Sequence, residues 1–402
     1  MNMRTMKTNS RRDFLKKGIL GISGASLVPS FMGGANPADS PADQPPGMVY
    51  RTLGRTGLKI PVISMGTGDT GNPNLVRAAW ESKIILFGTS TYYGNGNNEA
   101  MLGSVIRNLP RDSRLVATST MPRGTDHEKG IFTDPGAAPA FIREIEGSMK
   151  RLGVEYLDIL FLPWAAKRES VFFEPLLRMM EDFKKQGKAR FIGIATHSYM
   201  DEALRAAADT HVYDLAMTAY NFRYENLPSL NDAIDYAAGA GLGIIAMKTQ
   251  AGGYWDEQRI SPINARAALK WVLRNENVHT VLAGMTTFDE LSGNLAMMKD
   301  LRLSPDELKD LKLAGTEGPG GLYCLQCREC MDQCPEKLDI PTLMRSYMYA
   351  YGYRNLEHAR QTLRHANLID DVCSTCSECT ISCTAGFNIG RKVRQMSGIV
   401  LT

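Results

Sequence analysis

The chain has 402 residues, of which 44% are hydrophobic and 22% are charged, the values of an ordinary globular protein. These values exclude a disordered chain, a collagen and a protein with many membrane spans, and a net charge of +3 excludes the basic excess typical of nucleic-acid binding. All eight cysteines lie between Cys324 and Cys383, so the C-terminal part differs chemically from the rest. The length suits either one large barrel with something smaller or two to three ordinary domains.

The first 35 residues predict an export signal rather than a part of the fold. Arg11 and Arg12 form a twin arginine before a short apolar pair, and residues 18–35 are uncharged and mildly apolar. This segment resembles a twin-arginine (Tat) signal, which implies contact with the Tat translocon and a periplasmic or exported protein. Residues 36–47, rich in Pro, Ala and Asp, predict a flexible linker.

After a hairpin-like segment over residues 50–60, short β-rich runs alternate eight times with amphipathic stretches. The predicted strands are 62–65, 84–87, 115–118, 159–162, 191–195, 215–219, 243–247 and 280–283. The predicted helices include 141–152, 173–187, 200–208, 230–238, 264–275 and 287–300. This alternation predicts an α/β fold, a closed parallel (β/α)₈ TIM barrel. A doubly wound open sheet is the alternative, although no Gly-x-Gly-x-x-Gly follows the first strand.

The eight cysteines form two runs with the same spacing. The runs are Cys324, Cys327, Cys330, Cys334 and Cys373, Cys376, Cys379, Cys383. Three thiolates at i, i+3 and i+6 can wrap one face of an iron–sulfur cluster, while the fourth points toward a neighbouring site. The spacing therefore predicts two [4Fe-4S] clusters, with zinc or a disulfide framework as the alternatives.

This spacing resembles the two-cluster bacterial ferredoxins, in which the fourth cysteine of each run ligates the other cluster. The resemblance implies one cluster on Cys324, Cys327, Cys330 and Cys383, and another on Cys373, Cys376, Cys379 and Cys334. Thr384 departs from the pattern, since a proline usually follows the fourth cysteine. The long gap between the runs carries helical spacing over residues 340–368 and resembles the helical ferredoxin insert of larger electron-transfer enzymes. A mainly helical domain is predicted over residues 316–402.

The segment over residues 48–315 is similar to the aldo-keto reductases. The similarity lies in residues 50–57, Tyr93-Gly94-Asn95-Gly96 with Glu99, Leu102-Gly103, residues 186–193, Tyr220-Asn221, residues 284–287 and Asn294. The resemblance implies a (β/α)₈ barrel whose site lies at the C-terminal ends of the strands, and the chemistry of an oxidoreductase.

The resemblance also implies that most of the family's catalytic tetrad is missing. Tyr93 stands at the position of the acid that protonates the carbonyl oxygen. Gly88, Ser119 and Pro163 stand where the family has its Asp, Lys and His. Because none of these three can replace the lost side chain chemically, we expect a protein that is not a conventional NADPH carbonyl reductase.

The family's nicotinamide anchors are also changed. Ala195-Thr196 and Met217 replace the side chains that hold the carboxamide, and Glu290 stands where a basic residue often reads the 2′-phosphate. A carboxylate there repels a phosphate. Only Gly284 and Asn294 remain as candidate contacts to an adenine dinucleotide. Because the other anchors are changed, NAD(P) is a doubtful cofactor.

Tyr93, His197 and Lys248 each follow a predicted strand and are the candidate catalytic residues at the barrel mouth. The leading hypothesis is an exported iron–sulfur oxidoreductase that transfers single electrons between two clusters and a small molecule in the barrel, with an unknown redox protein as partner. The alternatives are a non-catalytic electron-transfer or docking protein, and an NAD(P)H carbonyl reductase in which Lys248 or His197 acts as the acid. The position of the cluster domain discriminates between these hypotheses. Electron transfer to a molecule in the barrel requires the cluster domain to lie at the barrel mouth and not at the opposite end.

Overall fold

The computed structural model describes residues 47–127, 129–312, 321–368, 373, 376 and 378–400. The predicted Tat signal, nearly all of the predicted linker and the predicted boundary at residue 315 lie outside this part. None of the described helices is long and apolar enough to cross a membrane.

Eight of the strands close into a parallel barrel. The described strands are β1 (Tyr50–Thr52), β2 (Lys59–Pro61), β3 (Ile63–Gly66), β4 (Leu86–Gly88), β5 (Leu115–Ser119), β6 (Thr125–Asp126), β7 (Ile131–Phe132), β8 (Leu157–Pro163), β9 (Ala189–Thr196), β10 (Leu215–Ala219), β11 (Gly243–Met247) and β12 (Thr280–Gly284). The barrel order is β3-β4-β5-β8-β9-β10-β11-β12, and β12 pairs with β3 to close it. The predicted closed barrel is confirmed, and the alternative of an open sheet is wrong.

Helices follow the strands of the barrel and continue into the cysteine-rich segment. They are α1 (Pro73–Glu81), α2 (Asn97–Ile106), α3 (Ala137–Leu152), α4 (Arg168–Val171), α5 (Glu174–Lys185), α6 (Met200–Thr210), α7 (Leu227–Gly239), α8 (Ala265–Leu273), α9 (Phe288–Met297), α10 (Pro305–Lys312), α11 (Ile340–Tyr347), α12 (Leu356–His365) and α13 (Ile389–Val400). A π-helical turn, Met348–Gly352, continues α11. Such turns occur often at functional sites.

The hairpin of β1 and β2 closes the N-terminal end of the barrel. Leu53, Leu58 and Ile60 are fully or almost fully buried in the cluster that fills the barrel interior. The backbone N–H of Arg55 donates to the carbonyl of Gly241 at 2.7 Å, which ties the hairpin to the loop before β11. With this end plugged, only the C-terminal end of the barrel is left for a ligand.

The cysteine-rich segment packs on that C-terminal end. Asn355 Nδ2 donates to Asp69 Oδ1 at 2.7 Å, and Gln361 Nε2 donates to Asn95 Oδ1 at 3.3 Å. Farther along, Glu257 in the loop after β11 pairs with Lys392 and Arg391 of α13. The helices of this segment therefore form a roof over the mouth of the barrel.

Two motif residues of α2 hold it against α3. The buried carboxylate of Glu99 pairs with Arg151 at 2.7 Å and accepts a hydrogen bond from Thr118 Oγ1 at 2.8 Å. At Gly103 the two helices approach so closely that an added Cβ would lie 2.9 Å from Leu152 Cα and closer still to the carbonyl oxygen of Arg151. The motif therefore marks a helix contact that tolerates no side chain.

Gly103→Ala is expected to destabilise the protein even though alanine is the better helix former. The propensity gain is about 1 kcal/mol, whereas overpacking against a backbone costs about 1–3 kcal/mol. Gly293→Ala is the matched control, because this glycine of α9 has nothing within 4 Å of an added Cβ. It should stabilise by roughly 0.5–1 kcal/mol. Denaturant unfolding of both variants tests the contact, and equal shifts of the two midpoints would contradict it.

Candidate functional site

A cavity of about 400 Å³ lies at the C-terminal ends of the barrel strands. Its floor is made by residues at strand ends, among them Gly66, Gly88, Ser119, Pro163, Ala195, Met217 and Met247. Its roof is made by the cysteine-rich segment, through Tyr349, Gly352, Tyr353 and His358. The segment that carries the cysteines therefore lies at the barrel mouth and not at the opposite end.

The three predicted catalytic residues, Tyr93, His197 and Lys248, all line this cavity. The ring of Tyr93 packs on Gly68, where an added Cβ would lie 2.9 Å from it, and meets His358 edge-on at 5.1 Å between ring centroids. Burial raises the pKa of Tyr93 well above its ordinary value, and the nearby Tyr92, Tyr349 and Asp69 add to the rise. The phenol is therefore a weak acid at neutral pH.

His197 and Lys248 differ in charge. Burial lowers the pKa of His197 well below its ordinary value, and the nearby charges of Arg345 and Lys248 lower it further. His197 is thus uncharged and has no proton to spare as an acid. Lys248 has a φ of +56°, a strained conformation for a residue with a side chain, and its Nζ lies 4.3 Å from the centre of the Tyr349 ring. Among the described residues it forms no ion pair.

Asp69 and His358 form a pair that the sequence did not predict. Asp69 follows the first barrel strand, and His358 Nδ1 of α12 lies 3.5 Å from its Oδ1. His358 is stacked on Tyr349 with ring centroids 3.9 Å apart. Burial alone would raise the pKa of Asp69, but hydrogen bonds from His358 and Asn355 and the charge of Lys248 outweigh it and lower the pKa to about 2. The carboxylate is ionised at the seam between barrel and roof.

Arg345 is a third residue that the sequence did not predict. It lies in the last turn of α11 and is only 5% exposed. Its Nη2 donates to Thr342 Oγ1 at 3.0 Å, and its guanidinium carbon lies 4.5 Å from the centre of the Trp164 ring. With His197, Lys248 and Cys324 it lines a small cavity beside the large one. The only signal in the sequence was a basic residue in an otherwise apolar helix.

Gly88 and Ser119 are two positions at which the sequence predicts a missing tetrad residue, and the structure shows their surroundings. A Cβ on Gly88 would lie 2.6 Å from Leu282 Cδ2, so Leu282 fills the volume that an aspartate would need. Ser119 Oγ is 2.9 Å from Ser90 Oγ, and both hydroxyls are buried. The surroundings of these positions are therefore adapted to small, uncharged residues.

The predicted cofactor contacts, Gly284 and Asn294, line an open groove of about 1090 Å³ next to the cavity. The groove is acidic: its charged side chains are Asp289, Glu290, Asp300, Asp306, Glu307 and Asp310 against Arg266, Lys270 and Arg302. At its edge, Glu290 Oε2 accepts hydrogen bonds from the backbone N–H groups of Thr286 and Thr287, at 2.6 and 3.1 Å. The carboxylate thus occupies the helix N-terminus where a phosphate would bind.

Cys324, Cys327, Cys330 and Cys383 line one small cavity. Burial raises the pKa of Cys324 and Cys330 to about 12, and the neighbouring sulfurs contribute. Without a metal these thiols would stay protonated. The positive irons of an iron–sulfur cluster favour the thiolate form, so a bound cluster would stabilise four sulfurs that are placed together here. Within the described residues no three His, Cys, Asp or Glu side chains converge on a single ion. A cluster does not need this, since each of its four cysteines binds a different iron.

The remaining four cysteines are Cys334 of the first run and Cys373, Cys376 and Cys379 of the second. Cys334 is buried and Cys379 is exposed. Cys376 N donates to Cys373 O at 3.1 Å, which gives these two residues a tight turn. The assignment of Cys334 to a cluster with Cys373, Cys376 and Cys379 stays a prediction.

Comparison with known proteins agrees with the fold and with the donor set. The profile of the Aldo/keto reductase family matches residues 67–267, half of the chain, and that of a 4Fe-4S dicluster domain matches residues 323–388. The chain is 27% identical to L-galactose dehydrogenase of Arabidopsis thaliana over 62% of this chain and 88% of the relative. It is 22% identical to L-glyceraldehyde 3-phosphate reductase of Escherichia coli O157:H7 over 69% and 95%.

Solved structures support the fold alone. The holo form of an aldo-keto reductase from Bacillus halodurans aligns with a TM-score of 0.53 and 18% identity, over 66% of this chain and 96% of that one. The alignment leaves about a third of this chain unmatched. An additional domain and the termini account for that third. The chain belongs to the aldo/keto reductase family, and its barrel is followed by a 4Fe-4S dicluster domain.

Proposed function

We propose that this protein is an exported oxidoreductase in which two [4Fe-4S] clusters supply or remove electrons one at a time for a small molecule held in the roofed cavity. One observation carries the proposal. Cys324 lines the same small cavity as His197 and Lys248, and these two residues also line the 400 Å³ cavity. A cluster held by Cys324 would therefore lie beside a ligand in the large cavity, since His197 and Lys248 border both cavities.

The residues of the chain hold and enclose the ligand. The aromatic faces of Trp164, Tyr349 and Tyr353 supply apolar contact, and Lys248 supplies charge. The roof covers part of the cavity and so reduces its contact with bulk water, which strengthens the electrostatic contacts inside. Tyr347 and Tyr351, stacked on each other at 4.4 Å, pack instead beside Lys392 of α13 and have a structural role.

Export and the electron partner belong to the same proposal. The Tat-like segment suits a protein that must receive its clusters before it leaves the cytoplasm. Cys379 is exposed, so the second cluster would lie near the surface, where a redox protein could exchange electrons with it. A nicotinamide nucleotide is not needed as the electron source.

NADPH and NADH should neither bind to the anaerobically purified protein nor reduce it. The acidic groove and the occupied helix N-terminus at Glu290 oppose the phosphates, and the raised pKa of Tyr93 makes it a poor proton donor. The measurement is a titration followed by cluster absorbance and EPR, with dithionite as the positive control. Bleaching by either nucleotide, or NADPH-dependent turnover of an aldehyde, would restore the carbonyl reductase hypothesis.

The crossed ligation predicts which pairs of cysteine substitutions act together. If Cys324 and Cys383 bind the same cluster, Cys324→Ala combined with Cys383→Ala should lose no more iron than either change alone, about half. Cys324→Ala combined with Cys334→Ala should lose both clusters. Iron analysis and EPR of the four variants decide between the patterns, and the reverse result would mean that each run binds its own cluster.

The seam between barrel and roof should weaken in mild acid. Burial lowers the pKa of His358 despite the opposing effect of Asp69. The unfolded chain therefore takes up the proton more readily than the folded one, and stability is lost as the pH falls below about 6.5. Other buried histidines contribute to the same trend.

His358→Phe keeps the stacking on Tyr349 but removes the titrating group. We expect a lower Tm at pH 7, since the contact with Asp69 is gone, and a smaller fall in Tm between pH 7 and pH 5 than in the unchanged protein. His211→Asn is the control, because His211 is exposed at the end of α6. Thermal unfolding of the cluster-loaded protein gives both quantities, and an unchanged pH slope in His358→Phe would exclude His358 as a contributor.

A further inference from the structure

Lys248 and Arg345 both line the small cavity at the junction, and among the described residues neither forms an ion pair with a carboxylate. The charge of Lys248 is felt by Asp69, but the two groups are not paired. Arg345 is only 5% exposed, and its buried Nη1 has no acceptor in the part of the chain that the structure describes. A buried cation without a partner is costly, so its persistence indicates that an anion completes the site.

The nearby carboxylates are engaged elsewhere. Asp69 accepts from Asn355 at 2.7 Å and faces His358, while Glu290 is held by the backbone of Thr286 and Thr287. Asp339 Oδ2 is 2.5 Å from Thr342 Oγ1 and reaches Arg345 only through that hydroxyl. The small cavity itself is lined by His197, Ala219, Lys248, Tyr323, Cys324, Gln326, Arg345 and Met348, without an acidic residue.

The shape of the two adjoining cavities favours an organic anion over an inorganic one. The small cavity has a volume of about 10 Å³, which is room for a single oxygen atom. It adjoins the large cavity, whose walls include Phe161, Trp164, Tyr349 and Tyr353. A ligand that fills both has one charged end and a flat or apolar body.

We propose that the cavity binds a small organic carboxylate, with one carboxylate oxygen between Lys248 and Arg345 and the organic body against the aromatic walls. This proposal deepens the proposed function, because the carboxylate is then the molecule that exchanges electrons. Arg345 belongs to the roof, so the ligand is held by both domains. The charged end lies next to Cys324, and the rest of the molecule extends toward Tyr93.

Binding is tested on the oxidised, cluster-loaded protein by titration calorimetry, without any electron donor. Benzoate and phenylacetate are the probes, and benzamide and phenylacetamide have nearly the same shape without the charge. We expect the two carboxylates to bind in the millimolar range or tighter and the amides at least tenfold more weakly. Absence of binding by both carboxylates, or equal binding of acids and amides, would overturn the proposal.

Two variants locate the charged end. Lys248→Met and Arg345→Gln should each weaken benzoate binding about tenfold or more, because each removes a charge-assisted contact. Lys248→Met covers the case in which Arg345→Gln fails to fold. Arg178→Gln, at an exposed cation of α5, is the control and should bind benzoate as the unchanged protein does. Unaltered binding in Lys248→Met would overturn the assignment.

A nucleotide is the competing anion. ADP added to the benzoate titration should leave the benzoate affinity unchanged, whereas competition would show that these cations serve a pyrophosphate and would overturn the proposal. Because no electrons are transferred in these titrations, their failure is distinguishable from a failure of the proposed redox function. The proposed redox function is judged only by the change in cluster absorbance and EPR when an electron donor is added.

Discussion

The contact on which the site depends is the carboxylate of Asp69, which lies partly buried at the seam between barrel and roof. It accepts a hydrogen bond from Asn355 and faces His358, residues 286 and 289 positions away in the chain. The pKa of about 2 means that these contacts stabilise the ionised form. Tyr349 and Tyr353 can form a wall of the cavity only if the helices around them are held here. The seam therefore fixes the roof above the barrel mouth and makes the site a partly covered cavity.

The roof also changes which side chains the site presents. Gly88, Ser119 and Pro163 on the barrel side of the cavity carry no charge, and Leu282 packs where a side chain on Gly88 would lie. The added domain contributes His358 to the cavity and Arg345 to the small cavity beside it, which Lys248 of the barrel also lines. The domain thus brings cation and histidine side chains as well as the cysteines, and it brings them to the end of the barrel that the hairpin leaves open.

The parts of the structure that local patterns determine were predictable from the sequence. Each predicted strand overlaps an observed one, and no predicted boundary differs from the observed one by more than two residues. The placement of Tyr93, His197 and Lys248 at the mouth followed from their position after strands. Asp69, Arg345 and His358 were not predicted, because their meaning depends on contacts between distant segments. Nothing local distinguishes a histidine in an amphipathic helix from one that closes a cavity.

The position of Cys383 has a consequence for the order in which the molecule is assembled. Its sulfur shares a cavity with Cys324, Cys327 and Cys330, yet it lies near the end of a chain of 402 residues. All strands and helices of the barrel precede it, and N-terminal domains generally fold first during synthesis. The barrel mouth can therefore act as a finished surface on which the helices settle, and the metal pocket closes last. A chain truncated just before this residue would have a complete barrel and seven of the eight cysteines, but an open pocket.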